Sequence, residues 1–159
     1  MLIRSALPHE VPLIQELIQE LALFEKSPER AVATLEDLSH AFFSPAPFVF
    51  CELIEDEIGT VQGLAIWFLN YSTWTGRHGI YLEDLFIRPS ARGRGYGKAL
   101  LRHLAKICVE RGYTRLQWWV LDWNKDAITF YQQLGAVAMD EWITMRVDGT
   151  ALTALPNLN

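Results

Sequence analysis

Apolar positions along this chain switch between two periods. Leu2 to Ala6 reads as a short first strand. Val11, Ile14, Leu17, Ile18, Leu21 and Phe24 then recur at helical spacing, with Glu16 and Glu20 on the other face. Ser27-Pro28 breaks that helix, and Thr34-x-x-Asp37 forms a capping box before Leu35, Leu38, Phe42 and Phe43, a second helix closed by Ser44-Pro45-Ala46-Pro47. Phe48 to Ile54 and Thr60 to Leu69 are apolar strands joined through Glu55 to Gly59, and Asn70 to Gly79 reads as a polar, aromatic loop. Ile80 to Ile87 is a strand, apolar except for Glu83-Asp84, and Pro89 ends its ladder. Leu100, Leu101, Leu104, Ile107 and Cys108 form the next helical stripe, which Gly112 stops. Thr114 to Leu121 is a strand with Trp118 and Trp119 on opposite faces. Asn124 caps a short helix that Gly135 ends. Ala136 to Met139 and Trp142 to Val147 read as closing strands, and a loose tail begins near Gly149. Helices interleave with strands, which predicts an α+β or α/β mixed sheet covered by helices on both faces.

Composition narrows the class. The chain has 159 residues, half of them hydrophobic and 21% charged, enough for one domain, 1–159, with a real core. The longest apolar run, Leu64 to Leu69, is too short to span a bilayer, and no signal peptide is visible at the start. The two cysteines, Cys51 and Cys108, fall on a strand and an apolar helix face, as buried thiols in a reducing cytoplasm do. A formal net charge of −5 argues against nonspecific nucleic-acid binding and suits a small cationic partner.

The candidate chemistry lies between the central strand and its helix. Gly93, Gly95 and Gly97 alternate there with Arg92, Arg94, Tyr96 and Lys98. A glycine-rich turn at a helix N-terminus presents backbone N–H groups to an anion, so the stretch is a phosphate-site candidate. Spacing excludes two common versions. The dinucleotide fingerprint would need glycine where Lys98 stands. A P-loop would need glycine at Arg92 and Ser or Thr at Ala99.

What stands is Arg92-x-x-Gly95-x-Gly97, which resembles the pyrophosphate loop of the GNAT N-acetyltransferases. A second segment, Asn124-x-x-Ala127-x-x-Phe130-Tyr131-x-x-x-Gly135-Ala136, resembles that family's second coenzyme motif. Tyr81-Leu82-Glu83-Asp84, Asp122-Trp123-Asn124 and Leu21-Ala22-x-Phe24-Glu25 resemble the diamine (spermidine/spermine) subgroup, although Phe24 stands where that subgroup usually has tyrosine. The resemblance implies a GNAT-like, mostly antiparallel sheet of about six to seven strands. It implies acetyl-coenzyme A as co-substrate, no metal, and a cytoplasmic homodimer.

It also implies residue roles. Leu85, Phe86 and Ile87 would bind the pantetheine arm. The loop Arg92, Gly93, Arg94, Gly95, Tyr96, Gly97 and Lys98 would hold the pyrophosphate, and Asn124, Lys125, Asp126 and Ala127 would complete the coenzyme site. Tyr131 would protonate the leaving thiolate, and Glu83 would take the amine's proton. Phe24, Glu25, Asp84, Trp74, Gln117, Trp118 and Trp119, with Glu83, would bind the acceptor, and Tyr71 would help to wall it. Neighbours on a regular strand point to opposite faces, so Glu83 and Asp84 are not expected to share a pocket. The expected reaction is N-acetylation of a polyamine, a diamine or a lysine-like amino acid. A peptide amine acceptor, or a non-catalytic acyl-coenzyme A binding module, is the alternative.

Overall fold

The structure, a computed structural model, describes residues 1–158. The chain order is β1 (Leu2–Ser5), α1 (Val11–Phe24), α2 (Leu35–Phe43), β2 (Val49–Glu55), β3 (Val61–Ser72), β4 (Arg77–Ile87), α3 (Tyr96–Glu110), β5 (Leu116–Gln117), α4 (Lys125–Gln133) and α5 (Gly149–Ala154). Two compact units divide it, residues 1–119 and 120–159.

The first unit is a five-stranded sheet in the order β1-β2-β3-β4-β5. Pairing is antiparallel from β1 to β4 and parallel between β4 and β5. One sheet face is sealed by α1 and α2: Ile14, Leu17, Leu38 and Phe42 pack with Cys51, Leu53, Leu64, Ile66 and Phe86. The apolar side of α3 is buried at Tyr96, Leu100, Leu101, Leu104 and Cys108 and lies against β4. Ile80 and Leu82, which point away from the first face, are almost fully buried. Helices therefore cover both faces, as alternation along the strands requires. The two cysteines are buried and free.

Several elements follow the sequence reading closely. Thr34 accepts a hydrogen bond from the Asp37 N–H, and the Asp37 carboxylate accepts one from the Thr34 N–H, completing the capping box. Glu16 and Glu20, on the polar side of α1, pair with Arg88 and fasten α1 to the end of β4.

Others differ. The region Asn70 to Gly79 is not a loop. β3 and β4 run on as a hairpin, pairing Ser72 with Arg77 and Tyr71 with His78. The strand expected over Thr114 to Leu121 keeps only Leu116 and Gln117 in the ladder, paired with Ile80 and Tyr81 of β4. In the second unit α4 forms under its Asn124 cap, whose Oδ1 accepts from the Ala127 N–H. Ala136–Met139 and Trp142–Val147 carry no strand, so the sheet has five strands where about six to seven were expected. Their alternating apolar pattern is only half of what a strand needs; the other half is a neighbouring ladder. The expected loose tail instead forms α5 and a turn of 3₁₀ helix.

Candidate active site

The site is read most simply along β4. Its first residues are flanked by β3 on one side and β5 on the other. Beyond Tyr81, β5 no longer pairs, and among the described residues no strand lies beside the outer edge of Leu82 to Ile87. A strand edge of this kind presents N–H and C=O groups that an extended ligand can pair with. Leu85, Phe86 and Ile87, the expected pantetheine residues, lie on it. The Ile87 carbonyl is already engaged, since Arg92 Nε donates to it at 3.0 Å.

A β-bulge interrupts β4 at the chemistry. Trp67 pairs with Leu82 and Ile66 with Asp84, which leaves Glu83 as the extra residue. Directly opposed residues share a face. Leu82 therefore points with Trp67, whereas Asp84 points with Ile66 and Leu64 toward the α1 and α2 side. Strict alternation would have put Leu82 and Asp84 together. The bulge resets the period, so the regular alternation on which Glu83 and Asp84 were expected to part does not run through this pair.

Electrostatics agree with this geometry. Burial pushes the Asp84 carboxyl up to about 7, and the charges of Glu83 and then Glu25 add to the rise. Burial also raises the Glu25 carboxyl. The Asp84 carboxyl thus feels two other carboxyl charges, Glu83 beside it in the strand and Glu25 at the end of α1. Glu25 is held there by the helix terminus: the Ser27 N–H donates to the Ala22 carbonyl at 2.9 Å and the Lys26 N–H to Leu23 at 3.1 Å. Lys26 takes the left-handed conformation, φ 61°, that glycine usually supplies at such an end.

Past Pro89 the chain enters the glycine loop. Gly93 and Gly95 have φ of 76° and 84°, and a Cβ built on either meets nothing within 4 Å. Internal packing therefore does not demand these glycines; the backbone shape and an open space above it do. Gly95 is the N-cap of the fifteen-residue α3 and brings no capping side chain, so the N–H groups of the first turn are left for a ligand. The residues present fit a pyrophosphate. The Arg92 guanidinium lies 4.4 Å from the Phe24 ring centroid and 5.9 Å from that of Phe86. It braces the loop against the end of α1.

Toward the start of β4 the same face carries an aromatic stretch and then polar groups. Phe68 and Tyr81 pack at 5.0 Å between ring centroids, and Trp119 meets Tyr81 edge-on at 5.9 Å. Phe68 also lines an apolar pocket of about 290 Å³ with Pro47, Phe48, Val49, Phe50 and Leu69. Beyond Tyr81 lie Gly79 and Asn70, and Asn70 Nδ2 donates to Gln117 Oε1 at 3.3 Å. Gln117 and Trp119 thus reach the acceptor face. Trp118 follows the last ladder residue of β5 and is half-buried. Tyr71 points to the other face, where its ring meets His78 and His78 meets Tyr113. Trp74 stands 89% exposed at the hairpin tip, roughly 20 Å along β4 from Asp84, and does not wall the carboxylates.

In the second unit, Asn124, Lys125, Asp126 and Ala127 form the first turn of α4, and Tyr131 lies near its end with Phe130 5.3 Å away, centroid to centroid. Asn124 Oδ1 is used as a cap, while its amide nitrogen has no such role there. Phe68, Asn70, Gly79 and Arg115 were not anticipated. No pattern in the sequence singled them out, since Asn70 to Gly79 reads as a polar loop and Arg115 as a strand residue.

A five-stranded sheet with a single parallel pair, a bulged central strand splayed from its neighbour, and a glycine loop opening the next helix define an acetyltransferase architecture. The chain belongs to the GNAT acetyltransferase family, whose pattern matches residues 13–136. It is 33% identical to L-ornithine N5-acetyltransferase NATA1 of Arabidopsis thaliana, covering 99% of this chain and 88% of that protein. It is 35% identical to thialysine N-epsilon-acetyltransferase of Mus musculus, covering 96% and 95%. A solved integron cassette protein from V. cholerae superposes with a TM-score of 0.83 at 28% identity, covering 99% and 98% of the two chains. The protein is accordingly a GNAT N-acetyltransferase. Among its described residues no helix is long and apolar enough to cross a membrane.

Proposed function

We propose that this enzyme transfers the acetyl group of acetyl-coenzyme A to a primary amine of a small cationic acceptor, a diamine, a polyamine or a lysine-like amino acid. One observation carries the reading: three carboxyl groups, Glu25, Glu83 and Asp84, gather on the strand whose open edge leads into the glycine loop. The relatives named for ornithine and thialysine acetylation support it.

Bound, the coenzyme supplies an activated acetyl thioester. The loop N–H groups from Gly93 to Lys98 hold its pyrophosphate, and the edge of Leu85 to Ile87 pairs with its arm. An alkyl amine has pKa ~10 and arrives as an ammonium ion, which the carboxylates attract. Glu83, directly or through water, takes its proton, and Asp84, whose carboxyl titrates near neutrality, holds the ammonium beside it. The freed nitrogen attacks the thioester carbonyl; the C–N bond forms and the C–S bond breaks. Tyr131 protonates the departing sulfur and is restored by the second proton that the acylated nitrogen gives up, while the carboxylate keeps the first proton until solvent removes it. The same reading takes the 159-residue chain as one functional domain that works as a cytoplasmic homodimer.

The test is release of free coenzyme thiol from acetyl-coenzyme A with a panel of putrescine, spermidine, L-ornithine, L-lysine, an arylamine and a lysine peptide. Turnover with the small cationic amines is expected. Preference for the arylamine or the peptide, or no thiol release at all, would reject it.

A further inference from the structure

The far end of the acceptor face carries a cation with no counter-charge. Arg115, at the entry to β5, folds its side chain over Gly79 of β4: a Cβ at Gly79 would stand 2.5 Å from Arg115 Cγ and 2.7 Å from Asn70 Oδ1. Arg115 Nε donates to Asn70 Oδ1 at 3.2 Å, and its Nη2 donates to the Tyr71 carbonyl at 3.2 Å. A guanidinium has five N–H donors. Two are used to fix the group, and among the described residues no carboxylate pairs with it. The side chain is exposed and held in place.

Its position matches the opposite end of the site. Gly79, Tyr81 and Asp84 share one face of the sheet because their partners Asn70, Phe68 and Ile66 do. The order along that face is cation, aromatic surface, carboxylates. Gly79 and Asp84 lie roughly 13–15 Å apart along a bulged strand. An extended lysine-like molecule spans ~7 Å between its carboxylate and its terminal nitrogen, and a hydrogen bond of ~3 Å at each end brings that to about 13 Å.

We infer that Arg115 is a specificity residue that binds the carboxylate of the acceptor, which makes the substrate class an α,ω-diamino acid. This rests on the amine-acetylation reading above and deepens it. Arg115 forms charge-assisted hydrogen bonds with a carboxylate through its remaining donors. It repels the distal ammonium of a plain diamine, so one side chain both favours the amino acid and disfavours its decarboxylated counterpart.

The experiment compares amino acid and diamine of equal chain length: L-ornithine with putrescine, and L-lysine with cadaverine. In Arg115→Gln, kcat/KM for the amino acids should fall about 10–100-fold, mostly through KM, while the diamines change by less than about threefold or improve. Arg115→Lys should recover part of the loss, having the charge without the fork. Arg115→Glu should invert the preference toward the diamines. Coenzyme affinity, measured in the same variants by calorimetry, should not move. An equal loss for amino acids and diamines would make Arg115 merely structural and overturn the inference, as would an unchanged ratio in all three variants. Wild-type protein that acetylates neither class would overturn the amine-acetylation reading itself, and this inference with it.

Discussion

On the function proposed above, the two ends of β4 would each hold a charged group, and they are built for it by opposite means. The end that leads into α3 uses backbone: glycines at positive φ, free N–H groups and a helix N-terminus. The end near the hairpin uses side chains from β3 and from the entry to β5, with Arg115 and Gln117 both joined to Asn70 beside Gly79. Between them, the carboxylates sit on a bulge. A backbone site tolerates most side-chain changes and fails when a glycine is replaced. A side-chain site leaves the fold alone and fails residue by residue. The donor end is thus built for one invariant ligand, and the acceptor end is the part free to be retuned.

The largest expected effect breaks the chemistry that both ends serve. Tyr131→Phe removes a hydroxyl and keeps the ring. Turnover should fall by ~10²–10⁴ while coenzyme affinity stays nearly intact. A loss below about threefold would reduce Tyr131 to a packing residue. The next breaks the donor end alone. Gly95→Val puts a β-branched side chain at φ 84° and into the open space above the loop. Calorimetry should show acetyl-coenzyme A binding weakened by roughly 10–100-fold, while the left-handed strain at position 95, on the order of 1–2 kcal/mol, lowers the melting temperature by a few degrees and leaves the protein folded. Unchanged affinity would move the pyrophosphate elsewhere.

The smallest effect sharpens the acceptor end through proton linkage. The Asp84 carboxyl stands at about 7 against an ordinary 3.8. Between those values the folded chain keeps a proton that the unfolded chain has lost. This group's contribution to stability is therefore full below about pH 4 and falls away as the pH rises to about 7. Asp84→Asn should remove that fall and raise the melting temperature at pH 8 by several degrees, on the order of 3–8 °C. Parallel stability curves for wild type and Asp84→Asn between pH 4 and 8 would show that burial does not hold the Asp84 proton in the folded chain.

Legibility in the sequence divides along the same line. The glycine loop, α3, the Thr34 capping box and the Asn124 cap are local features, each set by a few consecutive residues, and each formed where expected. Apart from the tail that forms α5, the misreadings are non-local. Asn70 to Gly79 looked like a loop because its polar residues and glycines mimic one, yet cross-strand pairing carries the hairpin to Ser72 and Arg77. The bulge at Glu83 cannot be seen in one strand alone, since it is a mismatch between two. The strands expected after Ala136 had the right alternation and no ladder in which to use it. Arg115 and Asn70 are far apart in sequence and meet only because β5 returns beside β4.

Gly79 carries one more implication, for the way such chains diverge. The arginine at 115 and the hydrogen at 79 occupy the same volume, so neither position can drift independently. A first step to any larger residue at 79 evicts the guanidinium before a substitute partner exists. A first step away from arginine leaves an empty notch that later mutations are free to fill. The path is a ratchet, easily left and hard to re-enter, and descendants that have filled the notch would carry its signature as a paired change at two positions.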